Sequence, residues 1–270
     1  MVGHVTESTA GLLAQLPGWV TLIRANNPNP MTLDGTNTWV LSVPGSEERI
    51  VIDPGPLEEP HLAAIAASGH VTTVITTHFH HDHTEGVPRL LELCPQARVW
   101  DGGAGETHWT GAGAPAGSGL QIRPIATPGH TADSIALVAG VGDERVVLTG
   151  DTILGRGTTV VAYPDGDLGD YLRSLGLLEL LGALPVLPGH GPALTDCAAS
   201  AAYYLRHRLA RLEQVKQAVA AGADTPSKVI EVVYADVDKV LWPAAELSVR
   251  AQLAYLERES GDPAPRLDRP

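Results

Sequence analysis

The chain has 270 residues, of which 44% are hydrophobic and 18% charged, a composition typical of a soluble globular protein with one large and one small domain. The net charge is −13, and all of this excess lies in residues 1–205, which contain eight Arg and no Lys. Such a balance weighs against tight nonspecific binding of nucleic acid, which depends on Lys and Arg. No apolar run is long enough to cross a bilayer and no secretion signal is apparent, so we expect a cytoplasmic protein without membrane contact.

Taken in order, the chain predicts a mixed α/β protein. Short β-branched runs bounded by Gly, Pro and Asn predict strands, and the second and third of them predict a hairpin. The predicted strands cover residues 19–24, 36–43, 49–53, 71–77, 97–100, 120–125, 134–139, 145–149 and 184–187. Helices are predicted over 61–68, from about Pro88, and over 170–181. The Gly- and Ala-rich stretch 101–119 predicts a long loop, with an ordinary insertion favoured over a lid.

Residues 1–205 are expected to form a catalytic domain, and residues 206–270 a small helical domain that follows it in the chain. A long helix is predicted over 198–221, with Leu205, Leu209 and Leu212 on its apolar face. Further helices are predicted over 226–234 and 243–259. A packing scaffold is the favoured role for this unit, with a nucleic-acid recognition helix as the alternative.

The two cysteines of the chain lie far apart in the sequence. Cys94 and Cys197 are predicted to be small buried hydrophobic residues in a reducing compartment. A disulfide between them is the alternative that only the geometry decides.

A predicted buried strand ends in the pattern H-x-H-x-D-H, formed by His78, His80, Asp82 and His83. Imidazole nitrogen and carboxylate oxygen bind zinc at roughly 2.0–2.2 Å, so side chains crowded on a tight turn can converge on one ion. His78 and His80 can face one ion, while Asp82 and His83 can face another. A histidine-rich surface loop is the alternative, and four ligand-type side chains in six positions make it the weaker one.

Three further ligand-type residues, His130, Asp151 and His190, each follow a predicted strand beside Gly or Pro. Glycine allows backbone conformations that point a neighbouring side chain inward at close range. Together with the first cluster they supply five His and two Asp, which suffices for two ions that share one bridging carboxylate.

This ordered set of seven residues resembles that of the metallo-β-lactamase superfamily. The resemblance implies an α/β fold, an αββα sandwich with two zinc ions at one edge of its sheets, although the sequence does not fix the metal. It implies one metal on His78, His80 and His130, a second on Asp82, His83 and His190, and a bridge by Asp151. Asp53 resembles the superfamily's early aspartate, which supports the ligand loop from behind. His81 fills a variable position and is not expected to be a ligand.

A narrower resemblance covers nearly the whole chain. Residues 31–38, 150–159 and 188–192 are similar to the β-lactamase-like protein 2 branch, which carries a small winged-helix-like C-terminal domain. Residues 261–265 depart from that pattern, since Gly-Asp-Pro-Ala-Pro is a poor β-wing. Animal members of the branch are similar to endoribonucleases acting on single-stranded RNA, related proteins hydrolyse thioesters, and no β-CASP-type insertion separates the motifs here.

The resemblance therefore implies a metal-dependent hydrolase that uses a zinc-bound hydroxide, with Asp82 and Asp151 as catalytic carboxylates. Single-stranded RNA is the first expected substrate, and a small thioester or ester is the alternative, as in glyoxalase II-like or acyl-carrier thioesterase relatives. A mononuclear iron persulfide dioxygenase and a nonenzymatic RNA-binding module are the competing hypotheses, and a β-lactam is the least expected substrate. His108 and His207 are expected at the surface. No substrate-binding residue is assigned, and Tyr163 and Asn37 are the candidates for contact with a substrate.

Overall fold

The computed structural model describes residues 16–100, 107–109 and 119–260, with the backbone alone at 107–109 and 260. Two five-stranded sheets form its centre. The first sheet contains, in spatial order, β1 (Val20–Arg24), β2 (Asn37–Ser42), β3 (Glu48–Ile52), β4 (His70–Ile75) and β5 (Arg98–Val99). The second contains β6 (Thr107–Trp109), β7 (Leu120–Ala126), β8 (Ile135–Val141), β9 (Glu144–Gly150) and β10 (Val186–Pro188), in the order β10-β9-β8-β7-β6.

The strand pairing confirms the predicted hairpin, since β2 and β3 pair antiparallel with Val40 opposite Val51. Strand β4 then pairs parallel to β3, and β10 pairs parallel to β9. The helices are α1 (Glu59–Ala66), α2 (His81–Thr84), α3 (Val87–Leu93), α4 (Leu168–Glu179), α5 (Cys197–Ala220), α6 (Pro226–Val233) and α7 (Trp242–Ser260), with a 3-10 turn at Lys239–Leu241.

Strand β3 shows why these strands have continuous apolar sequences. Ile50 and Ile52 point into the core between the two sheets, while Val51 points outward to the cluster that contains Leu62 of α1. Successive side chains of a strand alternate between its faces, so a strand covered on both sides is apolar at every position. On the outer face of the second sheet, Leu175 of α4 packs in the same way. The layers are therefore helix, sheet, sheet, helix, as predicted.

Several local predictions need correction. Residues 107–109 form strand β6 inside the stretch predicted as a loop, because their backbone pairs antiparallel with β7; the remainder of 101–118 lies outside the described residues. Leu209, predicted on the apolar face of the long helix, is 52% exposed, whereas its neighbour Arg208 is 5% exposed. Cys94 and Cys197 are free, buried thiols, as predicted.

Residues 197–260 contain helices and no strand in the described part of the chain, and residues 261–265 lie outside it. The division at 205/206 stays a prediction, and helix α5 crosses that position without interruption. Among the described residues, no helix has the length and apolar character that a membrane span requires.

Candidate metal centre

All seven predicted ligand residues meet at one edge of the sandwich, because the segments that carry them follow strands ending there. His78, His80, Asp82 and His83 follow β4, His130 follows β7, Asp151 follows β9 and His190 follows β10. The amide of Ile135 donates to the carbonyl of Thr77 at 2.9 Å and so joins the ends of the two sheets. Candidate ligand residues from both sheets therefore lie around one cleft.

Six of the seven side chains form two groups of three, and a third group of His78, His83 and Asp151 shares one member with each. The first ligand group contains His78, His80 and His130, with Nδ1 of His80 lying 3.0 Å from Nε2 of each of the other two rings. The second ligand group contains Asp82, His83 and His190, with His190 Nε2 lying 3.1 Å from Asp82 Oδ2 and 3.2 Å from His83 Nε2. Each group places three donor atoms within 4.8 Å of one another. These groups coincide with the two sets that the family resemblance implies, and their role as ligands stays a prediction.

Asp151 lies between the two ligand groups. Its Oδ1 is 3.5 Å from His83 Nε2, and its Oδ2 is 3.3 Å from His190 Nε2 and 3.8 Å from His130 Nε2. Asp151 Oδ1 is buried and has no hydrogen-bond partner, which is costly for a carboxylate oxygen unless a cation satisfies it. Two triads of nitrogen and oxygen donors around such an oxygen fit a pair of divalent cations such as zinc.

Asp53 contacts His83 of the second ligand group and does not line the cleft, and its role as a support for the ligand loop stays a prediction. Its Oδ2 accepts from His83 Nδ1 at 2.9 Å and from the Thr77 hydroxyl at 2.8 Å, and its Oδ1 accepts the Thr77 amide at 2.7 Å. The contact fixes the proton of His83 on Nδ1 and turns Nε2 toward the cleft.

Asn37 has a structural role that the sequence did not reveal. Its side-chain amide donates to the carbonyls of Pro188 and Gly191 at 3.0 and 2.8 Å, on either side of His190. Its backbone amide donates to the carbonyl of Gly189 at 2.8 Å. This buried residue therefore holds the His190 loop and does not line the cleft.

Burial and the neighbouring carboxylates divide the imidazoles into two protonation classes. Burial lowers the pKa of every ring in the first ligand group, so these rings are neutral at pH 7. Burial also opposes charge on His190, but Asp151 and Asp82 outweigh it and raise its pKa to about 10. Burial raises the pKa of Asp151, but His190 and His83 outweigh burial and hold this pKa well below its usual range. Protonation of His190 and binding of a cation at the second group therefore compete for the same nitrogen.

Two glycines let the ligand segments approach each other. Gly150 has a φ of +48°, and a Cβ there would lie 2.5 Å from the hydroxyl oxygen of Thr77. A Cβ at Gly189 would lie 2.5 Å from Asp151 Oδ1. Both positions exclude larger residues because the two sheets meet closely at this edge.

A cleft of about 160 Å³ opens over the two groups. Besides ligand-type residues it is lined by Met31, Val160, Ala162, Ala244 and Leu247, so the N-terminal part of α7 forms one wall.

The remaining polar residues that the sequence singled out lie elsewhere. His81 is exposed at the start of α2. Tyr163 packs against the cluster around α4. His207, expected at the surface, is half-buried and stacks on Tyr203, and the side chain of His108 lies outside the described residues.

The sandwich, the seven donors and the cleft at the sheet edge define a metallohydrolase of the αββα type. A family model described as "Metallo-beta-lactamase superfamily" matches residues 31–190, and "Beta-lactamase associated winged helix domain" matches residues 225–260. The chain belongs to the metallo-β-lactamase superfamily, as predicted, and is a hydrolase of that fold with an associated winged-helix domain.

Two curated relatives are similar over most of the chain. A "Beta-lactamase-like protein 2 homolog" of Caenorhabditis elegans is 32% identical over 261 residues, which cover 90% of this chain and 86% of the relative. An "Atrochrysone carboxyl ACP thioesterase" of Aspergillus chevalieri is 34% identical over 245 residues, covering 81% and 74%. Among solved structures, a β-lactamase domain protein from Burkholderia ambifaria aligns with a TM-score of 0.71 at 22% identity, covering 91% of this chain and 88% of that one, and shares the fold.

Proposed function

We propose that this protein hydrolyses a thioester or ester that carries an apolar acyl group. The observation that carries the proposal is the lining of the cleft: Met31, Val160 and Leu247 face the ligand groups, and no Lys or Arg is among the described lining residues. An apolar wall favours an acyl chain, whereas binding of a nucleic acid relies on cations that pair with phosphates. The thioesterase relative of Aspergillus chevalieri supports the same substrate class.

The chain's own residues supply the setting for this hydrolysis. Zinc, when bound by the two ligand groups, would supply Lewis acidity and a water whose pKa lies near 7. Asp151 would join the two groups. Asp82, whose side chain is 29% exposed and borders the cleft, is positioned to accept the proton of the attacking water. The apolar wall excludes bulk water from the acyl side of the scissile bond.

Cleavage of single-stranded RNA is the second candidate. It follows from the resemblance to the β-lactamase-like protein 2 branch, whose animal members are similar to endoribonucleases, and the Caenorhabditis elegans homologue is similar over 90% of this chain. The excess of acidic residues in the chain and the absence of Lys and Arg from the described lining residues weigh against it. The two candidate functions act on different bonds, an acyl thioester or ester in one case and a phosphodiester in the other. One panel of substrates therefore distinguishes them.

The test compares acyl thioesters of increasing chain length, the matching oxygen esters and a labelled single-stranded RNA, all with zinc-loaded protein. We expect thioester or ester hydrolysis that improves with chain length, is lost in Asp151→Ala, and shows a raised KM for long acyl chains in Leu247→Lys. Val232→Lys is the matched control, since Val232 is 65% exposed on α6 and does not border the cleft.

RNA cleavage without acyl hydrolysis would replace the proposal by the second candidate. Elemental analysis of the purified protein addresses the iron dioxygenase hypothesis. Two zinc ions per chain are expected, and one iron per chain together with persulfide oxidation would contradict the hydrolytic proposal.

A further inference from the structure

The segment Thr159–Val161 lies between His130 and the C-terminal helices. The carbonyl of Val160 accepts from His130 Nδ1 at 2.6 Å. The carbonyl of Thr159 accepts from Arg208 of α5, and the amide of Val161 donates to the Ser248 hydroxyl of α7 at 3.2 Å. One side of the segment thus contacts a residue of the first ligand group, and the other side contacts the two helices.

The environment of Arg208 indicates that its main structural role is the hydrogen bond to the Thr159 carbonyl. The side chain is 5% exposed, has no ion-pair partner among the described residues, and lies with its guanidinium 5.3 Å from the centroid of the Tyr171 ring. Its Nε is buried without a hydrogen-bond partner. Burying a cation is costly, and the neighbouring Leu209 is exposed instead. The cost is offset at this position by the hydrogen bond to Thr159 and by the ring.

The position of Thr159–Val161 affects the cleft because it determines the tautomer of His130. When Nδ1 carries the proton and donates it to the Val160 carbonyl, Nε2 presents its lone pair toward His80 and Asp151. The Thr159 hydroxyl of the same segment also lies 3.3 Å from His130 Nδ1. If the segment moves, the ring loses both of these partners, which fix its orientation and its proton. The amide of Ala162, which donates to the His130 carbonyl at 3.1 Å, holds the backbone but not the ring.

We infer that Arg208 and Ser248 are positioning residues for the first ligand group, which they support by holding Thr159–Val161 against His130. The C-terminal helices are therefore part of the metal centre's support as well as a wall of its cleft. The inference depends on the metal site in the proposed function and is independent of the identity of the substrate.

The experiment measures zinc affinity in the full-length chain. Metal-free protein is titrated with zinc against a chromophoric chelator, and His130→Ala identifies the binding step that belongs to the first ligand group. Arg208→Met and Ser248→Ala are expected to weaken that step about tenfold or more, the usual effect of removing a partner that orients a ligand. The other step is expected to stay within a factor of two, and cobalt-loaded protein should show an altered d–d absorption band.

The chain offers matched controls for both variants. Arg211 of the same helix donates to the carbonyl of Val233 and lies 4.5 Å from the Tyr234 ring centroid, so Arg211→Met removes equivalent contacts away from the cleft. Ser200 donates to the carbonyl of Asp196 at 2.6 Å within α5, and Ser200→Ala matches Ser248→Ala. Both controls are expected to keep both zinc affinities.

Unchanged affinity in the two variants would overturn the inference, as would an equal loss in the controls or an equal loss at both steps. The serine pair decides the matter if Arg208→Met does not fold, since Ala is a good helix former and this change is mild. A wild-type protein that does not bind two zinc ions would instead contradict the proposed function.

Discussion

Replacing Asp53 by Asn tests whether the support behind the second ligand group controls metal binding. The backbone should tolerate the change, because Asp53 has a φ of +52°, in the left-handed region that Asn also adopts readily. The carboxylate accepts three hydrogen bonds, two from Thr77 and one from His83. An amide nitrogen in place of either oxygen then faces a donor: the amide of Thr77 or Nδ1 of His83.

The expected magnitude follows from the tautomer of His83. If its proton moves to Nε2, the atom that lies 3.2 Å from His190 Nε2 no longer has a lone pair for a metal ion. If instead the oxygen of the introduced Asn side chain faces His83, its nitrogen faces the buried backbone amide of Thr77, which then loses its acceptor. Removing a partner of this kind typically costs 10–100-fold in metal affinity, or about 1.4–2.7 kcal/mol.

Zinc titration against a chelator measures the change, with Asp196→Asn as the control. Asp196 caps α5 by accepting the Ala199 amide at 2.8 Å, and Asn caps a helix equally well. We expect Asp53→Asn to weaken the binding step that His83→Ala abolishes. If Asp53→Asn binds both zinc ions within twofold of the wild type, the reasoning about the His83 proton is refuted.

Three further predictions concern packing and stability. Gly189→Ala should weaken zinc binding measured by chelator competition, because its Cβ would lie 2.5 Å from Asp151 Oδ1; undiminished affinity would show that the carboxylate can move freely. Leu62→Ala, at a fully buried position, should lower the free energy of unfolding in urea by about 2–5 kcal/mol, and a loss below about 1 kcal/mol would contradict close packing under α1. Asp167→Ala should lower it by about 1 kcal/mol at pH 7, since the side chain caps α4 through the Asp170 amide. Burial raises the pKa of Asp167, but the hydrogen bond from the Asp170 amide and the nearby Arg258 outweigh burial and lower the pKa overall. The extra stability of the wild type over Asp167→Ala should therefore be complete above about pH 4 and be lost as the pH falls through the folded-state pKa. A difference in stability that does not depend on pH would contradict this.

The strand ends were predictable because two signals coincide there. A β-branched run marks a buried strand, and a His or Asp beside Gly immediately after it marks a residue delivered to a sheet edge. These signals brought together residues as distant in sequence as His80 and His190, which line one cleft in the structure. Assigning them to two metal groups required the family resemblance, since spacing alone does not say which of the later residues joins which ion.

The helical segment was less predictable, for a physical reason. A 3.6-residue period in α5 favoured Leu209 as a buried residue, but neighbouring segments decide which face is covered, and they cover Arg208. Likewise, Asn37 and the short strand β6 depend on partners distant in sequence, which local patterns do not contain. Tertiary contacts therefore overrode local preference at each of these positions.

The continuity of α5 constrains how this C-terminal unit is exchanged between relatives, by recombination or by design. A crossover at 205/206 joins two halves of one 24-residue helix, so donor and recipient must agree in helical phase for residue 208 to point inward. A crossover near residue 222 keeps the helix whole but replaces Ser248 and Leu247 together. Chimeras of the second kind would exchange Leu247, which lines the cleft, together with Ser248, which contacts Val161, so the cleft wall and the proposed support of His130 would change in one step.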